Sequence, residues 1–249
     1  MGIFRGPNIV RSGLVLALDA ADKNSYPGTG TTWKDLSGNS YNGTLTNGPT
    51  FNSNNRGSIV FDGVDDQIDL GNLDIVGGAT AATWEVWFKA TSISQASTWQ
   101  SLLTTWNDPV SGVGHTWILD TRYASWSFYI RFSGDVGVYP VFAWDGGSGR
   151  SDFSSGNWYQ LVGVFDSSQA NANKVKIYIN GNYISSADPG SVTTIANKNA
   201  NENLKIGVDR TATAPFTGNI ALARIYRNKG LSATEVLQNY NATKSRFGL

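Results

Sequence analysis

Cysteine is absent from this sequence of 249 residues, and charged residues make up only 15% of it. A chain of this length can bury about 75% of the surface that its unfolded form exposes, so it needs no disulfides to hold a core. Lysine plus arginine equals aspartate plus glutamate at 19 each, which gives a formal net charge of zero. Binding to nucleic acids depends on surplus positive charge, so we expect no nucleic acid partner.

Long apolar segments are missing as well. None approaches the roughly 20 residues of a membrane-spanning helix, so we expect no membrane insertion. The apolar run at residues 14–18 is too short for a signal peptide and ends at Asp19, so we interpret it as the first strand. His115 is the only histidine, which excludes a zinc site built from several histidines.

Glycine and aromatic residues are plentiful, with 28 Gly, 9 Trp, 10 Tyr and 11 Phe. This mixture is typical of short strands joined by tight turns. About a dozen segments have strand patterns, and no change of composition divides them. We therefore predict an all-β, two-sheet antiparallel sandwich at residues 13–249, preceded by an N-terminal arm at residues 1–12.

Two hairpins and one helix are predicted within this sandwich. Residues 58–71 contain an apolar run, an Asp-Gly turn and an alternating segment, and Asn180-Gly181 is a typical two-residue hairpin turn. Ser232 and Glu235 form a capping-box pattern, and Leu231 and Val236 are spaced as a hydrophobic staple. We predict a helix at about residues 232–246, with Val236, Leu237 and Tyr240 on one face.

Acidic side chains concentrate in two turns. Residues 35–39 place oxygen-bearing side chains as a calcium loop begins, but the closing glutamate is missing, and Asx turns account for the same residues. The predicted 58–71 turn also carries four aspartates close together, which suits either solvated turn residues or a cation; they are Asp62, Asp65, Asp66 and Asp69. Calcium is left open here, and no cofactor is predicted.

The carboxylates do not follow the pattern of a glycosidase strand. A retaining glycosidase needs two carboxyl groups about 5 to 5.5 Å apart, which on one strand means positions i and i+2. No Asp or Glu in this chain has another two residues away. We predict that Glu85 pairs with a cation such as Arg224, and that the protein is not an enzyme. Hydrolysis by carboxylates from separate strands remains the minor alternative.

Several segments, taken in order, resemble the laminin G-like branch of the concanavalin A-like lectin/glucanase jelly rolls. They are GSIVFDGVDDQIDLG (57–71), TWEVWFKA (83–90), WYQLVGVFDSS (158–168), KVKIYINGNYIS (174–185), LKIGVD (204–209) and GNIALARIYRNKGLSATEVLQNYNA (218–242). The resemblance implies two curved antiparallel sheets and a module that binds carbohydrate or calcium or serves in adhesion. Related domains commonly carry acidic residues in the final strand, where this chain has Ala221 and Leu222.

The opening of the chain resembles the form of this domain found in tailed-bacteriophage virion proteins. The residues that carry this resemblance are FRGPNIVRSGLVLALDA (4–20) and WKDLSGNSYNGTL (33–45). It implies a structural or adhesion part of a phage particle, such as a capsid decoration or fibre subunit. Its expected partners are other virion proteins and copies of itself, and its expected location is the virion.

Two functional hypotheses name different residues. A glycan-binding site needs aromatic rings beside polar groups, as a free-standing carbohydrate-binding module would also have; the candidates are Trp106, Asp108, His115, Arg122, Tyr123, Trp144 and Asp145. A structural role would use the arm to dock on a partner protein; its candidates are Ile3, Phe4, Arg5, Ile9 and Val10. The alternative for the arm is packing on its own domain.

Overall fold

The structure is a computed structural model that describes residues 8–91, 100–106, 115–122, 125–130, 141–144, 154–197, 203–208 and 215–249. For Trp106 and for residues 115–122, 125–130 and 141–144, it describes the backbone alone. In these ranges, no helix has the length and apolar character needed to cross a membrane.

The described ranges contain sixteen β-strands and one α-helix. The strands are β1 (Leu14–Asp19), β2 (Thr32–Trp33), β3 (Gly43–Thr46), β4 (Thr50–Asn52), β5 (Ser58–Asp62), β6 (Gln67–Asp69), β7 (Ala81–Ala90), β8 (Gln100–Trp106), β9 (His115–Arg122), β10 (Ser125–Ile130), β11 (Val141–Trp144), β12 (Tyr159–Asp166), β13 (Val175–Ile179), β14 (Asn182–Ala187), β15 (Leu204–Ile206) and β16 (Thr217–Arg227). Helix α1 (Ala233–Thr243) is followed by a 3₁₀ turn at Lys244–Phe247, and two further 3₁₀ turns lie at Asn54–Arg56 and Asn171–Asn173.

The strands form two antiparallel sheets, as predicted for a jelly-roll sandwich. The helix-side sheet has the order β14-β13-β12-β7-β16-β5-β4, and β1 pairs with the part of β16 that β5 leaves free. The opposite sheet has the order β11-β10-β9-β8-β15-β6-β3-β2. A large apolar core with residues from both sheets lies between them.

Strand β7 shows why the helix-side sheet is covered on both faces. Trp84, Val86 and Phe88 belong to the core between the sheets. The intervening Trp87 belongs to a separate apolar cluster and stacks on Tyr240 of α1 and on Phe247 of the following turn. Because successive side chains of a strand point to opposite faces, both faces of β7 are buried, which explains the imperfect alternation in its sequence.

The prediction of a hairpin at residues 58–71 is wrong. Its first arm is β5 in the helix-side sheet, and its second arm is β6 in the opposite sheet. The intervening turn therefore crosses the edge of the sandwich, and Ile59, Phe61, Ile68 and Leu70 face one common core from two sides. The hairpin at Asn180-Gly181 is confirmed, since Ile179 and Asn182 are register partners on either side of a turn with positive φ at both residues.

The helix begins as predicted but buries a different face. Both hydrogen bonds of the capping box between Ser232 and Glu235 are present, and Leu231 and Val236 share one apolar cluster. The buried residues of α1 are Val236, Asn239 and Thr243, whereas Leu237 is 44% exposed, so its placement on the packed face is wrong. The side of α1 that packs on the sheet is therefore partly polar.

Candidate functional site

The backbone of the opposite sheet places two of the predicted carbohydrate-binding residues side by side. Trp106 ends β8, His115 begins β9, and these two residues are register partners in the antiparallel pair. The register is irregular between Thr105 and Trp106, where a bulge ends the regular pairing. The backbone therefore places Trp106 and His115 at the same end of the β8–β9 pair.

Two other candidates lie towards the opposite end of these strands. Arg122 ends β9 and pairs with Ser125, while Trp144 ends β11 and pairs with Ser127, which in turn pairs with Asp120. At about 3.3 Å per residue, His115 and Arg122 are separated by about 23 Å along β9. The predicted set is thus divided into two groups, with Trp106 and His115 in one and Arg122 and Trp144 in the other.

The remaining sugar-site candidates lie outside the described residues, and the arm is described only from Asn8 onwards. Asp108, Tyr123 and Asp145 lie outside the described residues, as do Ile3, Phe4 and Arg5 of the arm. Ile9 is half-buried, and Val10 is buried in an apolar cluster of its own domain. The Val10 backbone N–H donates to Asn239 Oδ1 at 2.8 Å, and its carbonyl accepts from the Tyr226 hydroxyl at 3.1 Å. At Val10 the arm therefore packs on its own domain, which leaves no free side chain there for a partner.

A polar network is buried between β7, β12, β16 and α1. Glu85 has no exposed surface, and its Oε1 accepts from Arg224 Nη1 at 3.0 Å and Gln160 Nε2 at 2.9 Å. Its Oε2 accepts from Asn239 Nδ2 at 2.9 Å. The predicted pairing of Glu85 with Arg224 is confirmed, and both residues are register partners in adjacent strands. Gln160 and Asn239 were missed, because the contact of the helix with this sheet has no signal in local sequence.

The aspartates after β5 form a compact group. Carboxylate oxygens of Asp62, Asp65 and Asp66 lie within 4.8 Å of one another. Burial raises the pKa of Asp66, a hydrogen bond from the Asp62 backbone lowers it in part, and the charges of Asp62 and Asp65 raise it further. Asp69 lies outside this group. Its carboxylate accepts from Gly71 N and Asn203 Nδ2. Three carboxylates at this spacing can hold a cation of the calcium type.

Asp35, the first residue of the suspected calcium loop, is used by its own segment. Its Oδ1 accepts from the backbone N–H groups of Ala17 and Ser37, and its Oδ2 accepts from the Ser37 hydroxyl and the Tyr41 N–H. These bonds fix the turn against β1, which is the Asx-turn explanation of the sequence. Trp33 before it is fully buried, and the Leu36 backbone N–H donates to the Ala17 carbonyl at 2.8 Å, although the Leu36 side chain is 38% exposed.

The two antiparallel sheets and the core between them define a lectin-like jelly roll. Comparison with known proteins identifies its family. The profile described as the concanavalin A-like lectin/glucanases superfamily, of the laminin G type, matches residues 62–237. The chain belongs to this superfamily. No curated protein matches it in sequence.

Solved structures share the fold at low sequence identity. Domain 4 of an extracellular arabinanase from Geobacillus stearothermophilus, solved with arabinotriose, is 19% identical with a TM-score of 0.59, covering 92% of this chain and 98% of that one. The binding domain of botulinum neurotoxin serotype G is 17% identical with a TM-score of 0.65, covering 91% and 50%. A Trypanosoma rangeli sialidase, solved in complex with 2,3-difluoro-KDN, is 14% identical with a TM-score of 0.61, covering 94% and 33%. The chain thus spans half or less of the last two proteins.

Proposed function

We propose that this chain is a non-catalytic carbohydrate-binding module. The observation that carries the proposal is the register of β8 and β9, which brings Trp106 and His115 together at one end of an antiparallel sheet. An aromatic ring offers a flat apolar surface to one face of a sugar, and an imidazole offers a hydrogen bond to its hydroxyls. The arabinotriose in the arabinanase domain supports this proposal at the level of the fold.

The absence of catalysis is part of the proposal. Glu85, the glutamate in the long central strand, is surrounded by Arg224, Gln160 and Asn239 on the helix side of the sheet. A general acid must be able to reach a substrate and give up a proton, and Glu85 has no exposed surface. Its role is therefore to hold the helix against the sheet.

The setting that we propose is the particle of a tailed bacteriophage, where the module serves in adhesion or decoration. The support is the resemblance of residues 4–20 and 33–45 to phage virion proteins. A particle displays many copies of such a protein, and multivalency can raise the effective affinity of weak sites by about 10² to 10⁴. Other virion proteins and copies of the chain itself are the partners in this setting.

A glycan array probed with a multimeric form of the full chain tests the binding proposal. We expect binders among neutral oligosaccharides, with the signal lost in Trp106→Ala. The matched control is Tyr183→Ala, which removes an aromatic side chain that is 52% exposed on β14 of the other sheet. Equal binding by both variants, or an empty array, would overturn the assignment of this site. Release of new reducing ends from a bound oligosaccharide would overturn the non-catalytic part.

Mass spectrometry of purified particles of a phage whose genome encodes this sequence tests whether the chain is part of the particle. We expect the chain among the structural proteins, at a copy number that follows the symmetry of the particle. Its detection only in the soluble lysate would leave a free-standing carbohydrate-binding module as the function. The array result and the particle result are independent, so failure of one does not decide the other.

A further inference from the structure

A cleft of about 530 Å³ lies on the helix side of the sandwich, away from the strands that carry Trp106 and His115. Its walls come from four separate segments: the chain before β1, the turn after β1, the 3₁₀ turn at Asn54–Arg56, and the end of α1 with the turn that follows it. Arg224 of β16 also lines it. A volume of this size accommodates one or two sugar rings or a ligand of similar dimensions.

The cleft is rich in positive charge although the chain as a whole has a formal net charge of zero. Five cationic residues line it, together with two acidic residues, Asp19 and Asp22; the cationic residues are Arg11, Lys23, Arg56, Arg224 and Arg246. Burial lowers the pKa of Arg246, Asp19 opposes this, and the nearby charges of Arg56 and Arg224 lower it further. The direction of this pKa shift agrees with the five cations that line the cleft.

The fold holds Arg246 in place. Arg246 Nη1 donates to Asp19 Oδ1 at 2.7 Å, and Arg246 Nε donates to the Asn55 carbonyl at 2.7 Å. Asp22 Oδ1 accepts from the backbone and side chain of Asn24, which orient this carboxylate but leave its negative charge in place. Within the described part of the chain, Arg11, Lys23 and Arg56 form no ion pair. These three cations outnumber Asp22, the one acidic residue of the lining that is in no ion pair with a described residue, so the cleft keeps an excess of positive charge.

Arg224 is the buried cation of this cleft. Only 6% of the residue is exposed, and its Nη1 donates to Glu85. Its Nε and Nη2 have no hydrogen bond with any described residue, and neither atom is fully enclosed without a partner. Because Arg224 also lines the cleft, the remaining N–H groups are open to a molecule placed there. A guanidinium with two neighbouring free donors is suited to a planar carboxylate.

The rest of the lining provides partners for hydroxyl groups. Asn8 can both donate and accept, and the hydroxyls of Thr243 and Ser245 can do the same. An inorganic anion can use only the donor atoms of these groups, whereas the hydroxyls of a sugar ring can use their donors and their acceptors. The combination therefore favours a ligand that carries several hydroxyls beside one negative charge.

We propose that this cleft is a second binding site, one that takes a carboxylate-bearing sugar such as a hexuronic acid. The carboxylate lies against Arg224 and Arg56, and the ring hydroxyls contact Asn8, Thr243 and Ser245. The site does not depend on the proposed function of the opposite sheet, because it shares no residue with it. A chain without any affinity at Trp106 would still bind an acidic sugar here.

Isothermal titration of the full chain in a phosphate-free buffer tests this site. The probes are digalacturonic acid, the neutral digalactose that lacks its carboxylates, and inorganic phosphate alone. We expect binding of digalacturonic acid that weakens with added salt, and affinity at least tenfold lower for digalactose and for phosphate. A tenfold change corresponds to about 1.4 kcal/mol, which is close to the lower end of the range for one charge-assisted hydrogen bond.

Arg56→Gln is the variant that removes a cation without touching the buried network, since Arg56 is exposed. We expect it to lower the affinity for digalacturonic acid about tenfold, and Arg11→Gln combined with Lys23→Gln to lower it further. Lys34→Gln, which removes an exposed cation outside the cleft, is the matched control and leaves the affinity unchanged. Equal binding of digalacturonic acid and digalactose, equal binding of phosphate, or no effect of Arg56→Gln would each overturn the proposal. Trp106→Ala tested in parallel separates this site from that of the opposite sheet.

Discussion

Glu85 is a fully buried carboxylate to which Arg224, Gln160 and Asn239 each donate a hydrogen bond. Burial of a charge is costly unless it is paired and hydrogen-bonded. The bonds come from β16, β12 and α1, so this one side chain joins three elements that are distant in sequence. Asn239 extends the network, because its Nδ2 also donates to the Tyr226 hydroxyl and its Oδ1 accepts from Val10 N.

Replacement of Glu85 by Gln should strongly destabilise the protein. The substitution keeps the shape but leaves the Arg224 cation buried without a counter-charge, which costs about 3 to 5 kcal/mol of unfolding free energy. Urea denaturation at pH 7 measures the change. Glu235→Gln is the control, because its pair with Lys229 is partly exposed and should account for no more than about 1 kcal/mol. Similar losses in the two variants would contradict a special role for the buried network.

Two aspartates should give pH dependence of opposite sign. Asp66 has a raised pKa for the reasons given above, so its ionised form is less favourable in the folded protein than in the unfolded one. Partial burial raises the pKa of Asp166, but hydrogen bonds from Ser168 and Gln169 and the charge of Lys176 outweigh this and hold its pKa below the usual value. Asp66 thus lowers stability at neutral pH, and this cost is relieved as the pH falls through its folded pKa. Asp166 adds stability at neutral pH that is lost as the pH falls through its own folded pKa.

Urea unfolding at pH 7 and at acidic pH, in the presence of EDTA, separates these effects. We expect Asp66→Asn to be more stable than the parent at pH 7 and Asp166→Asn to be less stable. Both differences should shrink on acidification, because the parent carboxyl groups then become neutral. A loss of stability in Asp66→Asn at pH 7 would show that the Asp62 hydrogen bond outweighs burial and charge repulsion.

At the scale of the strands, the sequence predicted which segments form strands better than it predicted which strands pair with each other. The apolar run and the alternating segment within residues 58–71 both indicated strands, and Ile59, Phe61, Ile68 and Leu70 from these segments lie in the core. The same alternation arises whether the two strands pair with each other or face each other across a sandwich, so the hairpin was predicted wrongly. Strands β2, β3 and β4 were missed because they have only two to four residues each and lie among turn residues.

Gly207 provides a test of how closely the two sheets approach. It follows β15 of the opposite sheet with φ 88°, and a Cβ at this position would overlap the ring of Phe61 in β5. Gly30 has nearly the same φ, 89°, and a Cβ there would meet no atom within 4 Å. Gly207→Ala should therefore lower the unfolding free energy by about 1 to 3 kcal/mol more than Gly30→Ala, through overpacking alone. Thermal or urea unfolding of the two variants measures this difference, and equal losses would show that backbone conformation decides both.

The sequence predicted the residue types of the candidate site but not how these residues are grouped in space. Aromatic and polar residues beside one another in sequence indicated where sugar contacts belong. The strand register pairs Trp106 with His115, which is nine residues later in the sequence. It leaves Arg122 at the other end of β9. The cationic cleft had no sequence signal, because Arg11, Arg56, Arg224 and Arg246 are brought together only by the complete fold.

For the whole molecule, the C-terminal segment is a structural cover for the helix-side sheet. Phe247 lies 4.6 Å from the Trp87 ring and 4.4 Å from the Trp158 ring, measured between centroids. Removal of residues 228–249 should uncover both tryptophans, increase binding of a hydrophobic dye such as ANS and lower the melting temperature. Leu237→Ser in the full chain is the control, since this side chain is already 44% exposed. Unchanged dye binding by the truncated chain would contradict the assignment of a covering role.

Strand β16 comes late in the chain but lies in the middle of its sheet, bonded to β7 on one side and to β1 and β5 on the other. During synthesis, β1, β5 and β7 therefore leave the ribosome well before the strand that joins them. Their exposed edges must stay apart, or be kept apart by a chaperone, until residue 227 has emerged. Slow translation of the last quarter of the message would lengthen this vulnerable interval and lower the yield of soluble protein.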